Sequence, residues 1–144
     1  MEKERKRADE KKYPSPIQPD KESSDNDYNA GVRFCVDNID RIALVVASHN
    51  EYSNHFLTVL MEKHSMKNSD RRVWFAQLYG MSDNISFSLA KAGYCVAKYV
   101  PYGPVRSVLP YLLRRAAENT SVAGQSSREL MLIKKEINRR KTSR

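Results

Sequence analysis

The sequence predicts an α/β fold built on parallel strands. Three observations carry that reading. Helical and strand-like segments alternate along the chain, each strand-like segment is apolar on both faces, and 144 residues with 40% apolar content supply one modest core. Strands joined through helices run parallel, with right-handed crossovers.

The elements follow in order. Residues 1–27 form a polar N-terminal segment. Glu2 to Lys12 has helix-forming composition but no apolar stripe, so a helix there needs support from neighbours. Tyr13-Pro14-Ser15-Pro16-Ile17-Gln18-Pro19 is neither helix nor central strand, because three prolines remove donors and fix φ. Tyr28, Val32, Cys35, Val36 and Ile39 then fall at helical spacing, with Asp25 as the expected N-cap. Ile42-Ala43-Leu44-Val45-Val46-Ala47 is a strand buried on both faces. Phe56, Leu57, Leu60 and Met61 mark the next helix, and Val73 to Leu78 the second strand. Ser82 or Asp83 caps a helix through Ala92, closed by Gly93 in the left-handed position. Tyr94 to Val100 is the third strand. Val105, Val108, Leu109, Leu112, Leu113 and Ala116 share a helix face, which Pro110 should kink or start near Leu109. A linker, Thr120 to Ser127, leads to a basic helix carrying Leu130, Ile133 and Ile137 on one side. Three domains of unequal weight result: 1–27, 28–119 and 120–144.

Composition excludes several classes. The longest apolar run, Ile42 to Ala47, is far short of a membrane span, and the acid-rich start is not a secretory signal. Neither GxGxxG nor GxxxxGK occurs, so the common phosphate loops are absent. Cys35 and Cys95 are read as reduced thiols. His49, His55 and His64 lack metal-site spacing, so no metal is expected, and the SxxK match at Ser88 to Lys91 has no partner motifs. The formal charge of +8 is local, since residues 106–144 alone sum to +7. Such a run is usually a solvated helix face, and it contains no aromatic ladder. A small basic nucleic-acid-binding protein using the 128–144 tail is the alternative reading, with nucleic acid the less expected partner.

In parallel α/β folds, binding groups gather at the carboxyl ends of strands. Here those ends read Ser48-His49-Asn50, Gln77-Leu78-Tyr79 and Tyr99-Val100-Pro101-Tyr102, all able to hydrogen-bond and all expected on one rim. Arg114, Arg115 and Glu118 add a pair of guanidinium groups with a carboxylate three and four residues on. Two such cations brought close suit a bound carboxylate gripped by planar donors, although a bare RRxxE is more often a solvated face.

These segments resemble the C-terminal half of proline dehydrogenase. The resemblance lies in Gln77-Leu78-Tyr79-Gly80-Met81, in Tyr99-Val100-Pro101-Tyr102-Gly103, and in Tyr111-Leu112-Leu113-Arg114-Arg115-Ala116-Ala117-Glu118-Asn119. Ala47-Ser48-His49-Asn50 looks like the family's strand end A-[ST]-H-N, and Lys21, Asp25 and Tyr28 match a weaker K-x3-D-x2-Y stretch. The similarity runs in unbroken order from about Tyr13 to Asn119.

The resemblance implies part of a distorted (β/α)8 TIM-type barrel, about its second half, followed by a basic C-terminal helix. It implies FAD as cofactor, L-proline as substrate and Δ1-pyrroline-5-carboxylate as product, with electrons leaving to a quinone. Arg114 and Arg115 would hold the proline carboxylate, Glu118 would buttress them, and Tyr99 and Leu78 would pack around the ring. Ser48, His49, Gln77 and Lys21 would contact FAD, and the flavin would perform the hydride chemistry, leaving no residue with a covalent role. The portion resembled follows the family's fourth strand, so the chain is expected to be a truncated member, inactive alone, with a separately encoded N-terminal half-barrel as a potential partner. The implied compartment is mitochondrial for a eukaryote, and cytoplasmic or peripheral to the inner membrane for a bacterium.

Overall fold

The polar N-terminus folds back on itself. A computed structural model describes residues 2–121 and 123–142, with side chains described for 2–115 and 130–142. Helix α1 (Glu2–Lys11) carries its acids in the first turn and Lys11 in the last, as the helix dipole favours. The support it needs comes from the proline-rich segment. The Tyr13 hydroxyl donates to Glu4 Oε1 at 2.6 Å, and Arg5 donates to the Gln18 carbonyl at 3.0 Å.

Helix α2 (Lys21–Asp37) starts earlier than its apolar pattern suggests. Asp20, not Asp25, is the N-cap, and its carboxylate accepts from the Ser23 amide at 2.7 Å. Asp25 lies one turn inside, paired with Lys21. Apolar spacing marks only the packed part of a helix; a cap and an i,i+4 pair extend it into solvent.

Three strands follow, β1 (Leu44–Ala47), β2 (Val73–Leu78) and β3 (Val96–Tyr99), separated by α3 (Glu51–Lys63) and α4 (Asp83–Lys91). All pair in parallel in the order β1-β2-β3, with Ala47 opposite Ala76, Ala76 opposite Ala97 and Leu78 opposite Tyr99. Two strands are shorter than expected. Tyr94 spends its amide closing α4: it donates to the Leu89 carbonyl at 3.1 Å while Gly93, at φ +85°, donates to Ala90. That pair of bonds is a Schellman motif, and it keeps Tyr94 out of the ladder. At the other edge, pairing of β1 begins at the level of Val73, which leaves Ile42 and Ala43 without partners.

Helix α5 (Val105–Ser121) runs through Pro110 instead of starting near Leu109. The Pro104 carbonyl accepts from Ser107 and Val108, so the helix is established before Pro110 is reached. The missing donor affects only the carbonyl of Arg106, an exposed residue where water can substitute. Helix α6 (Ala123–Thr142) begins within the stretch expected to be a linker, so the described backbone of residues 120–127 is helical. Leu130, Ile133 and Ile137 are exposed on it.

The core forms on one face of the sheet. Val46, Val73 and Phe75 point from the strands into a layer made by Val32 and Val36 of α2, Leu57, Leu60 and Met61 of α3, and Ile85 and Leu89 of α4. The other face is open among the described residues: Val45 is 58% exposed and Tyr99 54%. Parallel strands normally bury both faces, so this surface is one that further structure would cover.

At the amino ends of the strands, Arg72 clamps the sheet. It pairs with Asp70 at 2.7 Å and with Asp40, before β1, at 3.4 Å, and its carbonyl accepts from Leu44 at 2.7 Å. Side-chain and backbone hydrogen bonds from Arg72 hold the Asp70 carboxyl down at about 2. A depressed folded value stabilises above the unfolded value near 4, and that stabilisation is lost as pH falls towards 2. Arg72→Ala is therefore expected to flatten the dependence of urea-unfolding midpoint on pH between about 4 and 2. A slope equal to that of the unaltered chain would refute the clamp. Truncating the buried core ring, Phe75→Ala, is expected to cost about 3–5 kcal/mol in the same assay.

Candidate active site at the carboxyl rim of the sheet

The three strands end on one rim, and each strand alternates its side chains between the two faces. On the open face, register places Val45 beside Trp74, then Ala47, Ala76 and Ala97 in one row, then Leu78 beside Tyr99 nearest the rim. The alanine row leaves a shallow strip between two ridges of larger side chains.

Above Tyr99, α5 returns over the rim. The Tyr99 and Tyr111 rings meet edge to face, with centroids 6.1 Å apart. One turn later the Arg115 guanidinium lies 5.6 Å from the Tyr111 ring centroid. Leu78, Tyr99, Tyr111 and Arg115 thus form one continuous group. An arginine laid on an aromatic face has its guanidinium plane held by that contact, and Arg115 is half-buried there. Arg114 is exposed, as expected of a residue turned about 100° around the helix. The side chain of Glu118 lies outside the described residues.

Behind the rim, on the helix-covered face, the polar groups form a buried network. Gln77, only 2% exposed, donates its amide to the Ser48 carbonyl and to Asn54 Oδ1, both at 3.3 Å, and accepts from the Ser86 hydroxyl at 2.8 Å. Asn54 donates to the carbonyls of Ser48 and Asn50 at 3.0 and 2.8 Å. Asn50 caps α3, its side chain accepting from Tyr52 and Ser53. Ends of β1 and β2 and starts of α3 and α4 are thereby tied together. Gln77 spends its amide inside this network, on the face opposite Leu78.

His49 leaves the end of β1 with its Nδ1 2.9 Å from the Ser82 hydroxyl. Ser82 sits at the N-cap position of α4 but makes no side-chain cap bond there, and its backbone is left-handed at φ 51°, ψ 43°. That conformation costs roughly 1 kcal/mol for a non-glycine residue, and the missing cap about as much again. Ser48 contacts Tyr28 of α2; burial pushes the Tyr28 hydroxyl above its ordinary value, and the hydrogen bond with Ser48 draws it back. Lys21 lies two turns before Tyr28 on the same helix, in its pair with Asp25.

Of the residues singled out from sequence, Leu78, Tyr99 and Arg115 are brought together, Ser48 and His49 stand at the neighbouring strand end, and Gln77 faces the helices. Sequence reasoning missed Tyr111 and Ser82 as site residues. The i,i+4 spacing of Tyr111 to Arg115 was a usable signal; the contact of Ser82 with a residue 33 positions earlier left none. Among the described residues no cluster of His, Cys, Asp and Glu could hold a metal, and Cys35 and Cys95 are unpaired.

Three parallel strands alternating with helices match part of a (β/α)8 barrel. The comparisons with known proteins agree. The solved structure of proline utilization A from Bdellovibrio bacteriovorus, inactivated by N-propargylglycine, superposes with a TM-score of 0.74 at 29% identity, over 89% of this chain and 13% of that one. The family model for proline dehydrogenase matches residues 1–128, and the chain belongs to the proline dehydrogenase family. Proline dehydrogenase 1, mitochondrial, of Caenorhabditis elegans is 43% identical over 148 residues, covering 99% of this chain and 24% of that protein. The human protein of the same name is 45% identical, covering 95% of this chain and 23% of its own length. Hydroxyproline dehydrogenase of Xenopus laevis is 42% identical over 97% of this chain and 31% of its own. The chain spans about a quarter to a third of the length of these relatives.

Removing the central amide should expose how much of the rim depends on it. Gln77→Ala leaves Ser86, Asn54 and the Ser48 carbonyl short of a buried partner. It is expected to lower unfolding free energy by about 1–3 kcal/mol, read by urea denaturation. A loss under a few tenths would show that the network does not hold the rim.

Proposed function

We propose that this chain supplies the carboxylate-binding and part of the flavin-binding surface of a proline dehydrogenase, which oxidises L-proline to Δ1-pyrroline-5-carboxylate in proline catabolism. The observation that carries the reading is the group Leu78, Tyr99, Tyr111 and Arg115 at the carboxyl rim. A planar donor set stands beside an apolar wall and an aromatic ring. Those are the requirements of a small ring amino acid with one carboxylate. Arg115 takes the carboxylate, Arg114 joins it from the adjacent position, and Glu118 balances the two cations. Leu78 and Tyr99 pack against the ring and keep water from it.

The residues present fit FAD. The row Ala47, Ala76, Ala97 is a flat strip with no side chain beyond Cβ, suited to a planar ring system. His49 and Ser48 offer hydrogen-bonding groups at its end, and Lys21 a positive charge suited to phosphate. Gln77 serves the flavin surface by holding the Ser48 carbonyl. When bound, FAD supplies the two-electron oxidation, and by family resemblance a quinone takes the electrons onward. The chain's own work is orientation: fixing substrate at its carboxylate so that the ring lies against the apolar wall. The open inner face must be covered for such a pocket to exclude water, by further barrel strands on the same chain or on a separate one. The mitochondrial names of the animal relatives support that compartment for a eukaryotic source.

The experiment is a chimera in which this chain replaces the matching segment of the Caenorhabditis elegans relative. It is expected to retain flavin and to reduce a dye when given proline. Arg115→Met in that chimera is expected to raise KM for proline tenfold or more with flavin content unchanged, since a charge-assisted hydrogen bond is worth about 1.5–3 kcal/mol. An unchanged KM would remove Arg115 from the carboxylate site, and a folded chimera without flavin would remove the flavin assignment. The 144-residue chain alone, with its inner face open, is expected to give no proline-dependent dye reduction.

A further inference from the structure

Ser82 breaks two local rules at once. A serine heading a helix normally gives its side-chain oxygen to an amide of the first turn, and a left-handed backbone is normally left to glycine or asparagine. Ser82 does neither: its hydroxyl lies 2.9 Å from His49 Nδ1, and its φ is 51°. The residue is buried, so solvent does not explain the choice. Local inconsistencies of this kind are tolerated where a tertiary contact needs the geometry.

The surroundings show what the geometry achieves. The Ser82 carbonyl accepts from the amides of Ile85 and Ser86, both at 3.1 Å, and from the Ser86 hydroxyl at 3.2 Å. Ser86 in turn donates to Gln77. Ser82 is therefore anchored through its backbone to the same network that fixes the ends of β1 and β2. With the carbonyl committed to the helix, the left-handed turn leaves the side chain directed across to the end of β1. Nδ1 of His49 is held at that side.

We propose that Ser82 is a positioning residue for His49, trading its helix cap for a hydrogen bond that fixes the imidazole in one orientation at the rim. The functional meaning rests on the proline dehydrogenase reading, in which His49 faces the flavin; the positioning itself does not. In this role Ser82 acts through the His49 ring. An imidazole held by one nitrogen keeps a defined ring plane, and because a hydroxyl can donate or accept, either neutral tautomer can make the bond.

The test uses the 144-residue chain labelled with 15N, comparing Ser82→Gly with Ser82→Ala. Glycine removes the hydroxyl and relieves the left-handed backbone; alanine removes the hydroxyl and keeps the strain. The glycine variant is expected to melt at or above the temperature of the unaltered chain, and the alanine variant below the glycine one. In both, the ring-nitrogen shifts of His49 are expected to move from those of the unaltered chain as the Ser82 hydroxyl contact at Nδ1 is lost. Shifts of His55 and His64 should stay where they are. If His49 shifts in Ser82→Gly match those of the unaltered chain, the hydroxyl does not position the ring and the proposal fails. The readout needs neither flavin nor proline. Its failure leaves the functional reading standing, and a chimera without activity leaves the positioning of His49 standing.

Discussion

A single buried amide, Gln77, ties the carboxyl ends of β1 and β2 to α3 and α4. Parallel strands end without the hairpin turns that fix antiparallel neighbours, so something else must set their carboxyl ends in place. Here the amide reaches the carbonyl of Ser48 at the end of β1, Asn54 in α3 and Ser86 in α4. Each contact is between groups that would be costly to bury alone, which makes the network cooperative. The connections after β1 and β2 therefore leave the sheet in fixed directions. His49, Leu78 and the approach to Tyr99 inherit their positions from it.

The two faces of the sheet divide the labour. The face carrying Val46, Val73 and Phe75 makes the core with α2, α3 and α4, and it accounts for the stability of the described structure. The face carrying Val45, Trp74, the three alanines, Leu78 and Tyr99 is chemically poorer and geometrically more specific. Its side chains change from large to small to large along the strands. That gradient leaves a row of alanines on all three strands at one level, with room above it for a flat group or for larger side chains of a covering layer. Arg72 secures the opposite end of the strands with Asp40 and Asp70, so this clamp and the candidate site lie at opposite rims.

Much of this was legible from the chain. The alternation of elements gave parallel strands, and the closing role of Gly93 followed from its position after Ala92. Boundaries differ from the apolar pattern where capping and backbone hydrogen bonds decide them. The Asp20 cap and Lys21–Asp25 pair lengthened α2, and Tyr94 was withdrawn from β3 by its bond to Leu89. Pro110 looked like a break yet lies within a helix already started by Pro104. For the candidate site, Leu78 and Tyr99 lie at strand ends as their motifs placed them, and Arg115 lies on α5 beside Tyr111. The roles of Ser82 and Tyr111 were not read: no local pattern links Ser82 to His49, and Tyr111, though spaced i,i+4 from Arg115, meets Tyr99 only through the fold.

The sequence by itself determined the periodicities, the caps available to each helix, the apolar faces of the strands and the family motifs, all of which are properties of neighbours along the chain. The tertiary structure decided the rest. It set which face of β2 receives Gln77, brought Tyr111 between Tyr99 and Arg115, and turned Ser82 from its own helix towards His49. The physical reason is that a buried hydrogen-bonding group takes whichever partner the fold brings within about 3 Å. For Ser82 that partner is 33 residues away, a distance that only folding removes.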